Sequence, residues 1–270
     1  MRYWFAWTIS LMSGIAIGSE PEHFIRFEYQ NTIQYGQLDG QQVYPLDGDL
    51  FGDFSQSKPP LKLDSVQLLL PSAPEKVFAV GMNFASHLAS SAEGAPPMFL
   101  KLPSSLVLSG QPANLPIEAT NVHFEGELVL VIGKQARNIS IEQASKYIFG
   151  VTVGNDLTER SWQGSDLQWM RAKASDGFAP IGGTITRGVN YNNAMLTTRL
   201  NGKVVQQEST RNMIHSPEKV VAYLSRYFTL KPGDLIFMGT PGRTQALSNN
   251  DVVSVEIEGI GVVQNTIVFK

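Results

Sequence analysis

The sequence predicts a β-rich α+β protein, on three observations. Short runs of β-branched and aliphatic residues recur along the 270 residues, each bounded by Gly, Pro, Asn or Asp. Few stretches carry helix-capping signatures. Strands and helices do not alternate in the regular βαβ order that builds a parallel sheet.

Taken in order, residues 1–20 stand outside the expected fold. Arg2 precedes an apolar run from Tyr3 to Gly18 that ends in the small residues Ala16-Ile17-Gly18, the pattern of a cleaved signal peptide. The run is short for a transmembrane helix, which needs about 20 apolar residues, so no stable membrane span is expected. An appended segment or a start codon placed too far upstream remains the alternative. Residues 21–60 read as a small N-terminal β domain and linker: Phe24 to Tyr29, Thr32 to Tyr35 and Gln42 to Tyr44 alternate, with Leu38-Asp39-Gly40 as a hairpin turn. A polar, proline-bearing link from Ser55 to Pro60 comes next. Residues 61–270 form the main domain. Lys76 to Val80 reads as a buried strand stopped by Gly81, residues 88–97 as a loop of the kind that acts as a lid, and Met98 to Lys101 as a strand.

Two helices are placed by their caps. Ser140-Ile141-Glu142-Gln143 fits a capping box that opens a helix to Gly150. Ser216-Pro217 pairs an N-cap with an N1 proline, and Val220, Val221, Leu224 and Phe228 share one side of the helix it opens. Leu235 to Gly239 and two strands between Val252 and Phe269, turning at Glu258 to Gly261, complete the chain.

Composition excludes several classes of function. A net charge of −3 with no run of Lys and Arg gives no electrostatic footprint for nucleic acid. The absence of cysteine removes disulfides, thiolate metal sites and cysteine nucleophiles. It also removes the zinc deaminases, although His123-Phe124-Glu125 fits their His-x-Glu element.

The chemistry centres on His123 to Glu127, running into the apolar stretch Leu128 to Ile132. In a strand Glu125 and Glu127 share a face, with Cα atoms roughly 6.5–7 Å apart. Val129 and Val131 continue that face, and Leu128, Leu130 and Ile132 line the other. A segment apolar on both faces is usually buried, so the two carboxylates meet either solvent at the strand end or a positive partner. Asp156, after the strand-like Val151 to Asn155, is a third carboxylate. Three carboxylates without soft ligands suit a hard cation, Mg²⁺ or Mn²⁺. Lys173 alone reads as a surface lysine; beside a divalent ion it can hold a developing oxyanion.

Many short motifs together, in order and from about Phe24 onward, resemble the fumarylacetoacetate hydrolase family. They include Val80 to His87, Phe99 to Lys101, Phe124 to Gly133, Phe149 to Asp156, Lys173 to Pro180, Asn201-Gly202 and Gly239-Thr240-Pro241. The resemblance implies a mixed β-roll, a homodimer, and a Mg²⁺ or Mn²⁺ site from Glu125, Glu127 and Asp156. It implies 2-oxo or β-diketo acid substrates whose carboxylate and 2-oxo oxygen chelate the metal. Lys173 and Gln163 match oxyanion-stabilising positions, Asn83, Arg160 and Thr240 positions near the substrate, and His87 a lid histidine that activates water.

The expected activity is therefore C–C hydrolysis of an acylpyruvate or fumarylpyruvate type of acid. Alternatives are a 2-oxo acid decarboxylase or 2-hydroxy-dienoate isomerase of aromatic catabolism, and a non-catalytic member that binds only a 2-oxo acid or metal. The sequence departs from the family at Ser90, where a glutamate usually pairs with the histidine; Glu93 is the nearest replacement, and without a carboxylate partner His87 is a poorer base. A second departure, Gly242-Arg243-Thr244, sets Arg243 at the pocket mouth or in solvent. The family resemblance implies a cytoplasmic protein; cleavage of residues 1–18 would make it periplasmic or secreted.

Overall fold

The computed structural model describes residues 20–56, 58–87 and 94–270. The signal-like segment over residues 1–18, Ser90 and Glu93 lie outside the described residues, as does most of the lid expected over 88–97. Among the described residues no helix is long and apolar enough to cross a membrane.

The fold is strand-rich, as expected. Most strands join one large sheet, and the Gly126–Ile132 strand lies within it, buried on both faces. It pairs antiparallel with Ile148–Asn155 on one side and Leu235–Phe237 on the other. Leu235–Phe237 then pairs parallel with Val77–Val80, which pairs antiparallel with Met98–Lys101 at the sheet's edge. In the other direction the sheet continues through Thr184–Arg187 to the N-terminal meander, Glu22–Tyr29, Thr32–Asp39 and Gln42–Pro45. The meander expected over 21–60 is thus hydrogen-bonded onto the sheet that carries the carboxylates.

The two faces of Gly126–Ile132 enter two different cores, as its alternation requires. Leu128, Leu130 and Ile132 pack in the cluster that includes Val220, Val221 and Leu224 of the helix Pro217–Tyr227. Val253, Val255 and Ile257 of a second, five-stranded sheet join the same cluster. Val129 and Val131 pack instead with Phe24, Val77, Ala79 and Phe237. The helix begins as its cap predicts: the Ser216 hydroxyl oxygen accepts from Lys219 N–H at 3.3 Å.

The other expected helix is shorter than its sequence suggests. Ile141–Ala144 is one α-turn, Ser145–Tyr147 is 3₁₀, and the Ser140 side chain makes no capping bond. Ile148 is already paired with Ile132 in the sheet, so strand pairing ends the helix before Gly150.

Gly126, between the two glutamates, is a point of close approach by the second sheet. A Cβ there would lie 2.3 Å from Thr198 Oγ1 and 2.8 Å from Val255 Cγ1. Gly126→Ala is therefore expected to cost about 1–3 kcal/mol as overpacking, measured as a lowered urea midpoint with unchanged denaturant slope.

Candidate active site

Strand register brings the carboxylates together. Gly126 is opposite Asn155, so the residue before one strand meets the residue after the other: Asp156 N–H donates to the Glu125 carbonyl at 2.8 Å. Asn155 Oδ1 fixes the same corner by accepting from Glu125 N–H at 2.9 Å. One carboxylate oxygen from each of Glu125, Glu127 and Asp156 lies within 4.8 Å of the others, and all three residues are buried. Of the two surroundings open to the glutamates, the structure supplies the positive one.

Three cations face them. Lys173, on the short helix Met170–Ala174, donates from Nζ to Glu125 Oε2 and to Asp156 Oδ2, each at 2.6 Å. Lys101 donates to Asp156 Oδ1 and to the backbone carbonyl of Lys173. Arg160 donates to Glu125 Oε1, to Gln163 Oε1 at 2.8 Å and to Thr244 Oγ1 at 3.1 Å. Glu127 is the least satisfied: among the described residues its side chain accepts one hydrogen bond, from Gly239 N–H at 2.7 Å. Only glycine suits that donor position, with φ +89° and space in which a Cβ would stand 2.7 Å from Asn83 Cβ.

These surroundings drive the titrations apart. Burial pushes the Glu125 carboxyl up, but Lys173 and Arg160 outweigh it and hold its pKa well below the usual range. Glu127 goes the other way: burial, then repulsion from Asp156 and Glu125, raises it well above 4.5. Burial lowers Lys101 against the pull of Asp156, with Lys173 adding repulsion. Lys173 is equally buried, yet Asp156, Glu125 and Glu127 more than offset that and raise it.

A cavity of about 270 Å³ opens onto this cluster. His87, Arg160, Gln163, Lys173 and Thr240 line it with Glu125 and Glu127, so the structure gathers most of the residues singled out in the sequence. His87 Nδ1 is 2.6 Å from the Gly242 carbonyl oxygen, which can only accept, so that bond requires the proton on Nδ1. Nε2 is 3.8 Å from Glu125 Oε1, too far for a hydrogen bond. Asn83 stands apart. It is fully buried behind the wall, donating to the His215 and Met238 carbonyls at 3.1 and 2.7 Å and accepting from His215 N–H at 2.7 Å. Arg243 is exposed and does not line the cavity.

Phe99 and Trp169 complete the wall, and Lys101 braces it from behind; sequence reasoning gave none of them a role. Lys101 was accessible to it, since strand alternation puts Lys101 on the face of Phe99 and opposite exposed Leu100.

Residues 76–268 match the family model described as Fumarylacetoacetate (FAA) hydrolase C-terminal. The chain belongs to this family. Residues 22–71 match a second model, Rv2993c-like, N-terminal. Among similar proteins, the 4-hydroxyphenylacetate degradation bifunctional isomerase/decarboxylase of Escherichia coli is 40% identical over an alignment of 209 positions that covers 74% of this chain and 48% of that protein. The 2-hydroxyhepta-2,4-diene-1,7-dioate isomerase from Mycobacterium marinum superposes with a TM-score of 0.86 at 35% identity, covering 92% of this chain and 99% of that one. Fumarylpyruvate hydrolase from Pseudomonas aeruginosa, in complex with Mn²⁺ and pyruvate, gives 0.69 at 31% identity, covering 76% and 92%.

The family binds divalent metals, and the donor set here fits one: three hard oxygen donors, no soft ligand, and a glutamate with spare acceptor capacity. Because Glu127 must be ionised to ligate, metal binding is expected to release a proton. Mg²⁺ affinity should therefore rise with pH over the range above 4.5 in which Glu127 holds its proton. Calorimetry in buffers of different ionisation enthalpy measures that proton, and Glu127→Gln should remove it.

Proposed function

We propose that the protein is a divalent-metal-dependent C–C hydrolase of the acylpyruvate type, acting on a β-diketo acid. The observation that carries this reading is Lys173 Nζ at 2.6 Å from both Glu125 and Asp156, in the wall of a cavity that also receives His87. Three carboxylates are matched there by Lys101, Lys173 and Arg160. Adding a divalent ion gives the ionised site a surplus of two positive charges, complementary to a carboxylate plus an enolate oxyanion.

Mg²⁺ or Mn²⁺ held by Glu125, Glu127 and Asp156 would supply Lewis-acid polarisation and a fixed point for the 2-oxo acid. The chain's own residues do the rest. Lys173 stays an ammonium and presents a donor to the developing oxyanion. Gln163 has its carbonyl oxygen engaged by Arg160, which leaves its amide hydrogens for the substrate. His87 takes a proton through Nε2 from the water that adds to the distal carbonyl. The C–C bond breaks, its electron pair remains on the 2-oxo fragment as an enolate, and His87 returns the proton to carbon. The Gly242 carbonyl orients the ring, a role the family resemblance gives to the glutamate replaced here by Ser90.

The isomerase and isomerase/decarboxylase relatives favour a second reading, in which the same enolate is reprotonated, or formed by loss of CO₂, without attack of water. Incubating the Mg²⁺-loaded protein with acetylpyruvate and with oxaloacetate separates the two. Release of acetate is the expected result, whereas CO₂ or ketonisation alone supports the second reading. Stabilisation by oxalate with Mg²⁺ but no turnover of either acid would instead mark a non-catalytic binder.

Lys173→Met should lower kcat by about 10²–10³-fold, and His87→Gln should lower hydrolysis by about 10²-fold or more. Glu127→Ala should abolish the rise in melting temperature on adding Mg²⁺; an unchanged rise would refute the ligand assignment. For the expected homodimer, exposed Leu100, Leu102, Leu167 and Met170 surround the edge strand Met98–Lys101 and offer a face to a second copy. Sedimentation of Leu167→Glu against the native chain tests that face.

A further inference from the structure

We propose that Glu208 and Ser86 are positioning residues that fix the orientation and tautomer of His87. This rests on the reading of His87 as the base. The strand Lys203–Ser209 belongs to the second sheet, and Gln206 and Glu208, two residues apart, share one of its faces. Gln206 reaches the loop after Gly239 directly. Gln206 Nε2 donates to Thr240 Oγ1 at 3.0 Å and to the Pro241 carbonyl at 2.5 Å. Glu208 acts one step further on, through Ser86.

Each link has one possible direction. An ionised carboxylate only accepts, so the Ser86 hydroxyl hydrogen goes to Glu208 Oε2. The Ser86 oxygen is then free to accept, and takes Gly242 N–H at 3.0 Å. The Gly242 carbonyl accepts from His87 Nδ1. Asn212 Nδ2 holds the other Glu208 oxygen at 3.0 Å, so the carboxylate is itself anchored. In the neutral ring, these hydrogen bonds therefore set the hydrogen on Nδ1 and leave the Nε2 lone pair toward the cavity.

Packing does not do this work for Gly242. Among the described residues, a Cβ at that position would meet nothing within 4 Å, and its φ of +64° is one that glycine adopts without strain. Hydrogen bonds hold it instead: Gln206 on the Pro241 carbonyl of the preceding peptide, Ser86 on the Gly242 N–H and His87 on the Gly242 carbonyl. The family pattern would give this histidine a carboxylate three residues later; here the orienting group is a peptide carbonyl, steadied from another sheet.

The test has one arm that needs no turnover. In full-length protein with ¹⁵N-labelled imidazoles, assigned through His87→Ala, the native His87 should be the Nδ1–H tautomer. Ser86→Ala and Glu208→Ala should each shift it toward Nε2–H, and Glu208→Gln, which keeps an acceptor oxygen, should restore the native signal. With Mg²⁺ and acetylpyruvate, the two alanine variants should lose about 10-fold in kcat, less than the roughly 10²-fold or more expected for loss of the base itself, with KM little changed. Neither should lose more in a His87→Ala background. An unaltered tautomer in both alanine variants, or an equal kcat loss with His87 absent, overturns the proposal. If the native protein turns over neither acid, the hydrolase reading fails and the tautomer arm still decides this one. Ser86→Ala carries the test should Glu208→Ala not fold.

Discussion

The structure depends on the antiparallel pairing of Gly126–Ile132 with Ile148–Asn155. That register sets Glu125 beside Asp156 and leaves Glu127 two residues further in. Three carboxylates in one buried place are strongly unfavourable unless cations and donors reach them. The surrounding elements supply what the pairing demands: Lys101 from the edge strand, Lys173 from a one-turn helix, Arg160 from the helix Arg160–Ser165, and Gly239 N–H from the loop after Leu235–Phe237. Such a cluster is a poor way to stabilise a fold, since apolar residues would fill the same volume at less cost. Its presence on a strand buried on both faces therefore points to chemistry.

Holding charges so close requires a rigid frame, and the two cores provide it. Val129 and Val131 on one face and Leu128, Leu130 and Ile132 on the other are fully buried, so a slip by one residue would drive each set into the core packed for the other. The five-stranded sheet presses on Gly126 from one side, and the loop at Gly239 packs closely on Asn83. Asn83 belongs to this frame. Its amide is consumed by backbone groups at His215 and Met238, which ties the start of the Pro217–Tyr227 helix to the strand end that delivers Gly239.

Much of this was legible from the chain alone because it is local. Alternation placed Glu125 and Glu127 on one face, the serine–proline pair opened the helix at Pro217, and glycines closed the strands. What was not legible depends on partners distant in sequence. Which strand lies beside Gly126–Ile132, and in what register, cannot be read from either strand separately, so the approach of Asp156 to Glu125 was carried by family likeness. The capping box at Ser140 misled for the same reason: local preference favoured a longer helix, and pairing of Ile148 with Ile132 claimed its last turn for the sheet. Gln206 carries no signal in the sequence because its partners, Gly126, Thr240 and Pro241, converge only in the fold.

The two buried lysines show how finely this arrangement divides labour between identical side chains. Lys101 touches one carboxylate and a carbonyl, and feels Lys173 nearby, so burial prevails and its proton is held less tightly than usual. Lys173 touches two carboxylates and feels a third, so its proton is held more tightly. A lysine that forms a covalent adduct with a carbonyl must first become a neutral amine, and Lys173 is placed to resist that. Its position in the cavity wall therefore suits electrostatic work on an oxyanion rather than nucleophilic attack. Lys101, the amine easier to deprotonate, lies behind the wall and contacts the Lys173 carbonyl rather than the cavity. The fold thus keeps the more readily deprotonated lysine behind the wall and lines the cavity with the one whose proton is held more tightly.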